Sequence, residues 1–110
     1  MRLPNFERAE IGDKLESYVL NPMHRDGKHK ARVFESVLEI TLDNRQVLQD
    51  AILTAARTNE DVEHRGDNGH GDVYVLRFLL KTDRGSASVL TAWIVLYRED
   101  FPRLVTCYIL

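Results

Sequence analysis

The stretch that decides the fold is DVYVLRFLLKTDRGSASVLTAWIVLYREDFPRLVTCYIL, Asp72 to Leu110. It holds three runs rich in β-branched and aromatic residues, 72–81, 86–98 and 103–110. Asp83-Arg84-Gly85 and the segment Glu99 to Pro102 separate them. Runs of this kind bounded by turn residues read as strands, and connections this short join antiparallel neighbours. Side chains alternate between the faces of a strand. The rows Tyr74, Leu76, Phe78, Leu80, then Leu90, Ala92, Ile94, Leu96, then Val105, Cys107, Ile109 are assigned to the face that helices cover. The opposite rows mix apolar residues with Arg77, Thr91, Trp93, Thr106 and Tyr108. That composition suits a functional concavity or a second contact surface. The last run carries no charge, proline or glycine after Arg103. Left open at a sheet edge it would invite pairing with another chain. It is therefore expected to lie centrally, or under a partner subunit or the segment Glu60 to Gly71.

Working outward, the first half of the chain reads as helix. A first helix is expected over 13–20, with Asp13 and Glu16 as a capping pair and Ile11, Leu15, Tyr18 and Val19 near one face. Asn21-Pro22 ends it, because the residue before proline is pushed out of the α region. A second is expected over 28–40, with Ala31, Phe34 and Leu38 as its inward stripe. A third starts after Thr41 or Asp43, with Asp43 and Gln46 as a capping pair, and fades near Thr58-Asn59. Glu60 to Asp72, with Gly66, Gly69 and Gly71, reads as a loop or a loose edge strand. The expected fold is α+β: two or three N-terminal helices packed on one face of a three- or four-stranded antiparallel meander sheet.

Size and composition set the bounds. At 110 residues the chain is expected to be a single domain, residues 1–110. It is 44% hydrophobic and 29% charged, which is ordinary globular usage and not that of disorder. No apolar run approaches a membrane span, and the N-terminus has no secretory apolar region. The lone Cys107 cannot form an intrachain bridge, so a cytoplasmic location is the expectation. A net charge of −2 argues against broad, nonspecific nucleic-acid affinity.

Against that balance, Leu20 to Phe34 (LNPMHRDGKHKARVF) is a local basic patch. Arg25, Lys28, Lys30 and Arg32 stand there with His24 and His29 against one acid, Asp26. An imidazole titrating near neutral pH can act as general acid or base, and a nearby cation can hold a phosphate. Basic residues and free N–H groups at a helix start suit an anion. The plainer reading of the same residues is a solvated, charged loop. Thr106 and Tyr108 could bind a phosphate or orient a catalytic histidine, or could simply be a solvent-facing Thr and a packing Tyr. Arg77, inside an apolar strand, needs an acidic partner, solvent or an anion. No metal is expected, since the histidine spacings match no ligand motif and there is no cysteine pair. No cofactor is expected either. Cys107 falls on the core row, where cysteine behaves as a small hydrophobe.

The opening Leu3-Pro4-Asn5, then KLESYVLNPMH (Lys14 to His24), Gly27 and KARVF (Lys30 to Phe34), resembles a small bacterial domain family of unknown function. The ending, AWIV (Ala92 to Val95) and FPRLVTCYIL (Phe101 to Leu110), resembles it too. Members of that family often read His-Pro before the glycine, where this chain has His24-Arg25-Asp26-Gly27. Helices followed by a meander also resemble, at the level of fold, the small toxin nucleases of the barnase and colicin kind. That resemblance implies His24 as general base, Lys30 on the scissile phosphate, Thr106 and Tyr108 orienting it, and Arg25, Lys28, Arg32 and Arg77 as anion contacts. It implies metal-independent cleavage of RNA. The alternative is a non-catalytic module of immunity or adaptor type. Such a module would meet a protein partner, or a second copy, through the sheet face or the C-terminal strand.

Overall fold

The computed structural model describes residues Met1–Leu110. It is an α+β fold with a four-stranded antiparallel sheet, β1 (Glu63–Asp67), β2 (Gly71–Lys81), β3 (Ser86–Leu96) and β4 (Arg103–Ile109), in that spatial order. Two α-helices precede it, α1 (Gly27–Leu38) and α2 (Arg45–Thr58). Short 3-10 turns lie at Phe6–Arg8 and Leu42–Asn44. The expected first helix is a single five-residue π-type turn, Leu15–Val19. No side-chain cap starts it: Ser17 bonds the Asp13 carbonyl, and Glu16 pairs with Arg45 at 3.5 Å. α1 ends at Leu38 because Glu39 takes a left-handed conformation, φ 57°. Ahead of α2 the capping box is Thr41 with Asn44, not Asp43 with Gln46. Gln46 instead donates to Asp50, one turn on.

The core sits between the helices and one face of the sheet. Phe34 and Leu38 of α1, Leu48 and Ile52 of α2, and Leu15 and Val19 are all sealed from solvent there. Removing a side chain of this size from water contributes about 1.5–3 kcal/mol. On β2 the inward row is the expected one, Tyr74, Leu76 and Leu80. On β3 the expectation is reversed. Leu76 pairs with Thr91 and Tyr74 with Trp93, so Val89, Thr91 and Trp93 face the helices while Leu90, Ala92 and Ile94 face away. The buried Thr91 is tolerated because it is hydrogen-bonded. Its Oγ1 accepts from Trp93 Nε1–H at 2.9 Å, and its hydroxyl donates toward the Leu76 carbonyl at 3.5 Å. On β4, Cys107 is inward as expected. A bulge where Ala92 pairs with Thr106 but Trp93 with Leu104 leaves Val105 unpaired, and Leu104 takes the inward place.

β4 is an edge strand, not a central one. The segment 60–71 does not cover it, since β1 lies at the opposite edge. The start of β4 is covered by the N-terminal segment instead. Glu10 N–H donates to the Pro102 carbonyl and Leu104 N–H to the Glu10 carbonyl, both at 2.9 Å. Arg103 clasps both Glu99 and Glu10 across that junction. Further along β4, Tyr108 and Ile109 point to opposite faces yet line one groove with His29, Lys30 and Val33. α1 therefore overhangs the outer edge of the sheet. No helix is long and apolar enough to cross a membrane.

Candidate functional site

The groove under α1, about 330 Å³, is lined by His29, Lys30 and Val33 of α1 and by Tyr108 and Ile109 of β4. Beside it, Tyr18 is met by His24, Lys30 and Thr106.

His24 does two jobs at the start of α1. Its carbonyl accepts from Lys28 N–H at 3.0 Å, and its Nδ1 accepts from the backbone N–H of Asp26 at 3.0 Å and of Gly27 at 2.9 Å. The imidazole thus occupies the place usually taken by a capping Ser or Asp. With the Nδ1 lone pair engaged, the ring proton of the neutral form sits on Nε2. The helix start is consequently not the free anion cradle expected from the sequence: its leading N–H groups are already bonded within the chain. The His24 ring lies edge-on to Tyr18, with centroids 4.9 Å apart.

Tyr18 is the residue that sequence reasoning missed as a site member. Its periodicity placed it on an apolar helix face, but its ring meets His24 and lies under Lys30. Lys30 Nζ stands 5.0 Å from the Tyr18 centroid and 6.0 Å from that of Tyr108, a cation between two aromatic faces. No carboxylate forms an ion pair with it. The Lys30 ammonium is the largest cause holding the Tyr18 hydroxyl below its ordinary value. Burial opposes it, and the Thr106 hydroxyl adds to the lowering. Thr106 Oγ1 is itself buried with no hydrogen-bond partner of normal geometry, a costly state for a hydroxyl. Gly27 locks the two sides together. A Cβ there would fall 1.9 Å from the Tyr18 carbonyl oxygen, so only glycine lets α1 begin this close.

The remaining expected residues lie elsewhere. Lys28 and Arg32, four apart, line a different groove, of about 290 Å³, with Leu20, Pro22 and Thr41–Asp43. Arg25 is exposed in the turn before α1. Arg77 is on the outward face of β2, separated from Tyr108 by Leu90 of β3, a span of roughly 10 Å at two strand spacings. It is not a free anion contact, because its guanidinium donates to Glu63 at 2.9 Å. Cys107 is sealed in the core, and burial pushes its thiol far up.

Helices layered on one face of a four-stranded antiparallel meander make this an α+β domain. The chain belongs to the family described as a domain of unknown function (DUF6883), whose model matches residues 2–110. No curated protein and no solved structure matches it.

Proposed function

We propose that this domain, residues 1–110, is a toxin-like endoribonuclease that cleaves RNA without a metal ion. The observation that carries the reading is Lys30. Lys30 is half-buried and has no carboxylate partner, and its ammonium stands over the Tyr18 and Tyr108 rings, with the buried Thr106 hydroxyl facing Tyr18. Phosphate oxygens are a ligand such a group can accept, and a cation at the scissile phosphate stabilises the charge that develops in the transition state. His24 Nε2–H and the Thr106 and Tyr108 hydroxyls supply further donors. Arg25, Lys28 and Arg32, outside the groove, suit longer-range contacts to the flanking backbone. Arg77 joins them only by exchanging Glu63 for a phosphate.

The test is induction of the chain in a bacterial host, wild type beside His24→Ala/Lys30→Ala, with total RNA examined on a gel. The reading expects growth arrest and fragmented RNA that vanish in the double variant. Healthy growth and intact RNA from soluble, folded wild type would overturn it.

A second reading, a non-catalytic module that binds a protein, is favoured by one observation. β4 is an edge strand without charge beyond Arg103, and its Val105 is solvent-exposed at a bulge. A dimer joined through that edge would show as a mass that depends on concentration.

A further inference from the structure

We infer that Tyr18 is the positioning residue of the site: its ring is the platform that sets where the Lys30 ammonium stands, and its hydroxyl is dispensable for that. This rests on the ribonuclease reading and says how the cation of that reading is held in place.

A lysine carries its charge on a flexible four-carbon stem, so a placed ammonium needs something to hold it. The groove offers little. No carboxylate forms an ion pair with Lys30. His29 lines the groove beside it and makes no hydrogen bond to its ammonium. What remains is two aromatic faces, Tyr18 with its centroid 5.0 Å from Nζ and Tyr108 with its centroid at 6.0 Å. A cation is drawn to the face of a ring within about 6 Å of the centroid. Tyr108 stands at the limit of that range and Tyr18 well inside it, so Tyr18 is the stronger hold.

The platform is itself fixed. The close approach of Gly27 to the Tyr18 carbonyl sets the backbone, and the same carbonyl accepts from Asn21 N–H at 3.3 Å. The His24 ring braces the tyrosine ring edge-on, at 63° and 4.9 Å between centroids, a favoured arrangement for two such rings. His24 cannot swing away easily, because its Nδ1 accepts from the backbone of Asp26 and Gly27. The two residues on which the reading leans thus meet on one ring. Tyr18 touches no substrate in this account; it acts through Lys30.

The experiment has two readouts on the purified chain. The first needs no RNA: the NMR shift of the Lys30 ε-methylene protons, which an aromatic face moves upfield. The upfield displacement is expected in wild type and Tyr18→Phe and is expected to shrink in Tyr18→Leu. The second is single-turnover cleavage of an oligoribonucleotide. Tyr18→Leu should be slower by about 10²-fold, the cost of a misplaced group, while Tyr18→Phe keeps most of the wild-type rate. Tyr18→Leu/Lys30→Ala should be no slower than Lys30→Ala, because residues that act as a unit are not additive. Thermal melts check folding. A Tyr18→Phe as slow as Tyr18→Leu overturns the inference, since the hydroxyl then matters. A double variant slower than Lys30→Ala by the full Tyr18→Leu factor overturns it too, since Tyr18 then acts on something else. Should Tyr18→Leu fail to fold, an ordinary Lys30 shift in wild type or a slow Tyr18→Phe overturns it. No cleavage by folded wild type, with the upfield shift present, overturns the ribonuclease and leaves the platform standing.

Discussion

Both edges of the sheet place a histidine against a tyrosine, edge-on in one pair and stacked in the other, and the charges around the two pairs differ. At the β1 edge His64 stacks on Tyr74, with centroids 4.9 Å apart, and at the β4 edge His24 meets Tyr18 at the same separation. Around β1 both arginines and the histidine meet a carboxylate. Arg65 and Arg77 share Glu63, each at 2.9 Å, and His64 faces Asp72 at 3.0 Å. Around β4, Lys30 has only aromatic faces and hydroxyls. A region whose charges close on one another is finished as folded. A region that keeps a cation without a counter-charge adds no ion pair to the fold, and it is the region that the proposed ribonuclease reading uses. The comparison separates a cluster that holds the fold from one that the fold holds.

Lys30→Ala should give the largest effect, a fall of about 10²–10³-fold in RNA cleavage with little change in melting temperature, since losing one stabilising donor costs that much in other enzymes. Equal activity in the variant would erase the distinction between the edges. Gly27→Ala comes next. The added methyl meets the Tyr18 backbone, and overpacking of this kind typically costs about 1–3 kcal/mol, read as a lower denaturant midpoint. His24→Ala should lose about 0.5–2 kcal/mol, the typical worth of a helix cap. His24→Asn should recover most of it, because an amide oxygen can stand where Nδ1 accepts. The matching His64→Ala, at an exposed contact with Asp72, should change stability by less than about 1 kcal/mol. If His64→Ala costs more than His24→Ala, the assignment of roles is reversed.

The smallest effect concerns pH. Arg77 first, then the charge of Arg65, holds the Glu63 carboxyl below its ordinary value. A group depressed in the folded state adds stability that is present above its unfolded value, near 4.5. That stability is lost as pH falls through the lower folded value. Glu63→Gln should therefore narrow the gap in melting temperature between neutral and acidic solution, by a small amount because the pair is open to solvent. An unchanged gap would show that the β1 cluster contributes nothing measurable.

Much of this was readable from the residues. The turn at Asp83-Arg84-Gly85 and the uninterrupted apolar runs fixed the meander, and the Ala31, Phe34, Leu38 stripe fixed the buried side of α1. The faces of β3 were not readable, because both of its rows are apolar and alternation then carries no information. Thr91 looked like a surface residue, and only the indole of Trp93 makes it an interior one. The bulge at Val105 shifts half of β4 by one residue with no glycine or proline to announce it. Within the site, whether the helical residues and the last strand converge was not readable from the sequence; the fold sets Lys30 over the Tyr18 and Tyr108 rings. Tyr18 did not stand out, since a tyrosine on an apolar stripe usually serves packing and nothing local marks the lysine twelve residues on that stands over its ring.

The contact between Gly27 and the Tyr18 carbonyl also sets a dimension. The thickness of one glycine defines the spacing between the ammonium on α1 and the phenol on the preceding turn, with no side chain between them to act as a spring. The turn 24–27 works as a spacer of fixed width, and under the proposed ribonuclease reading its tolerance is tight: displacing catalytic groups by about 1 Å can cost 10²-fold in rate. A chain that folds with that spacer widened by one methyl would look native in shape and be mistuned in chemistry.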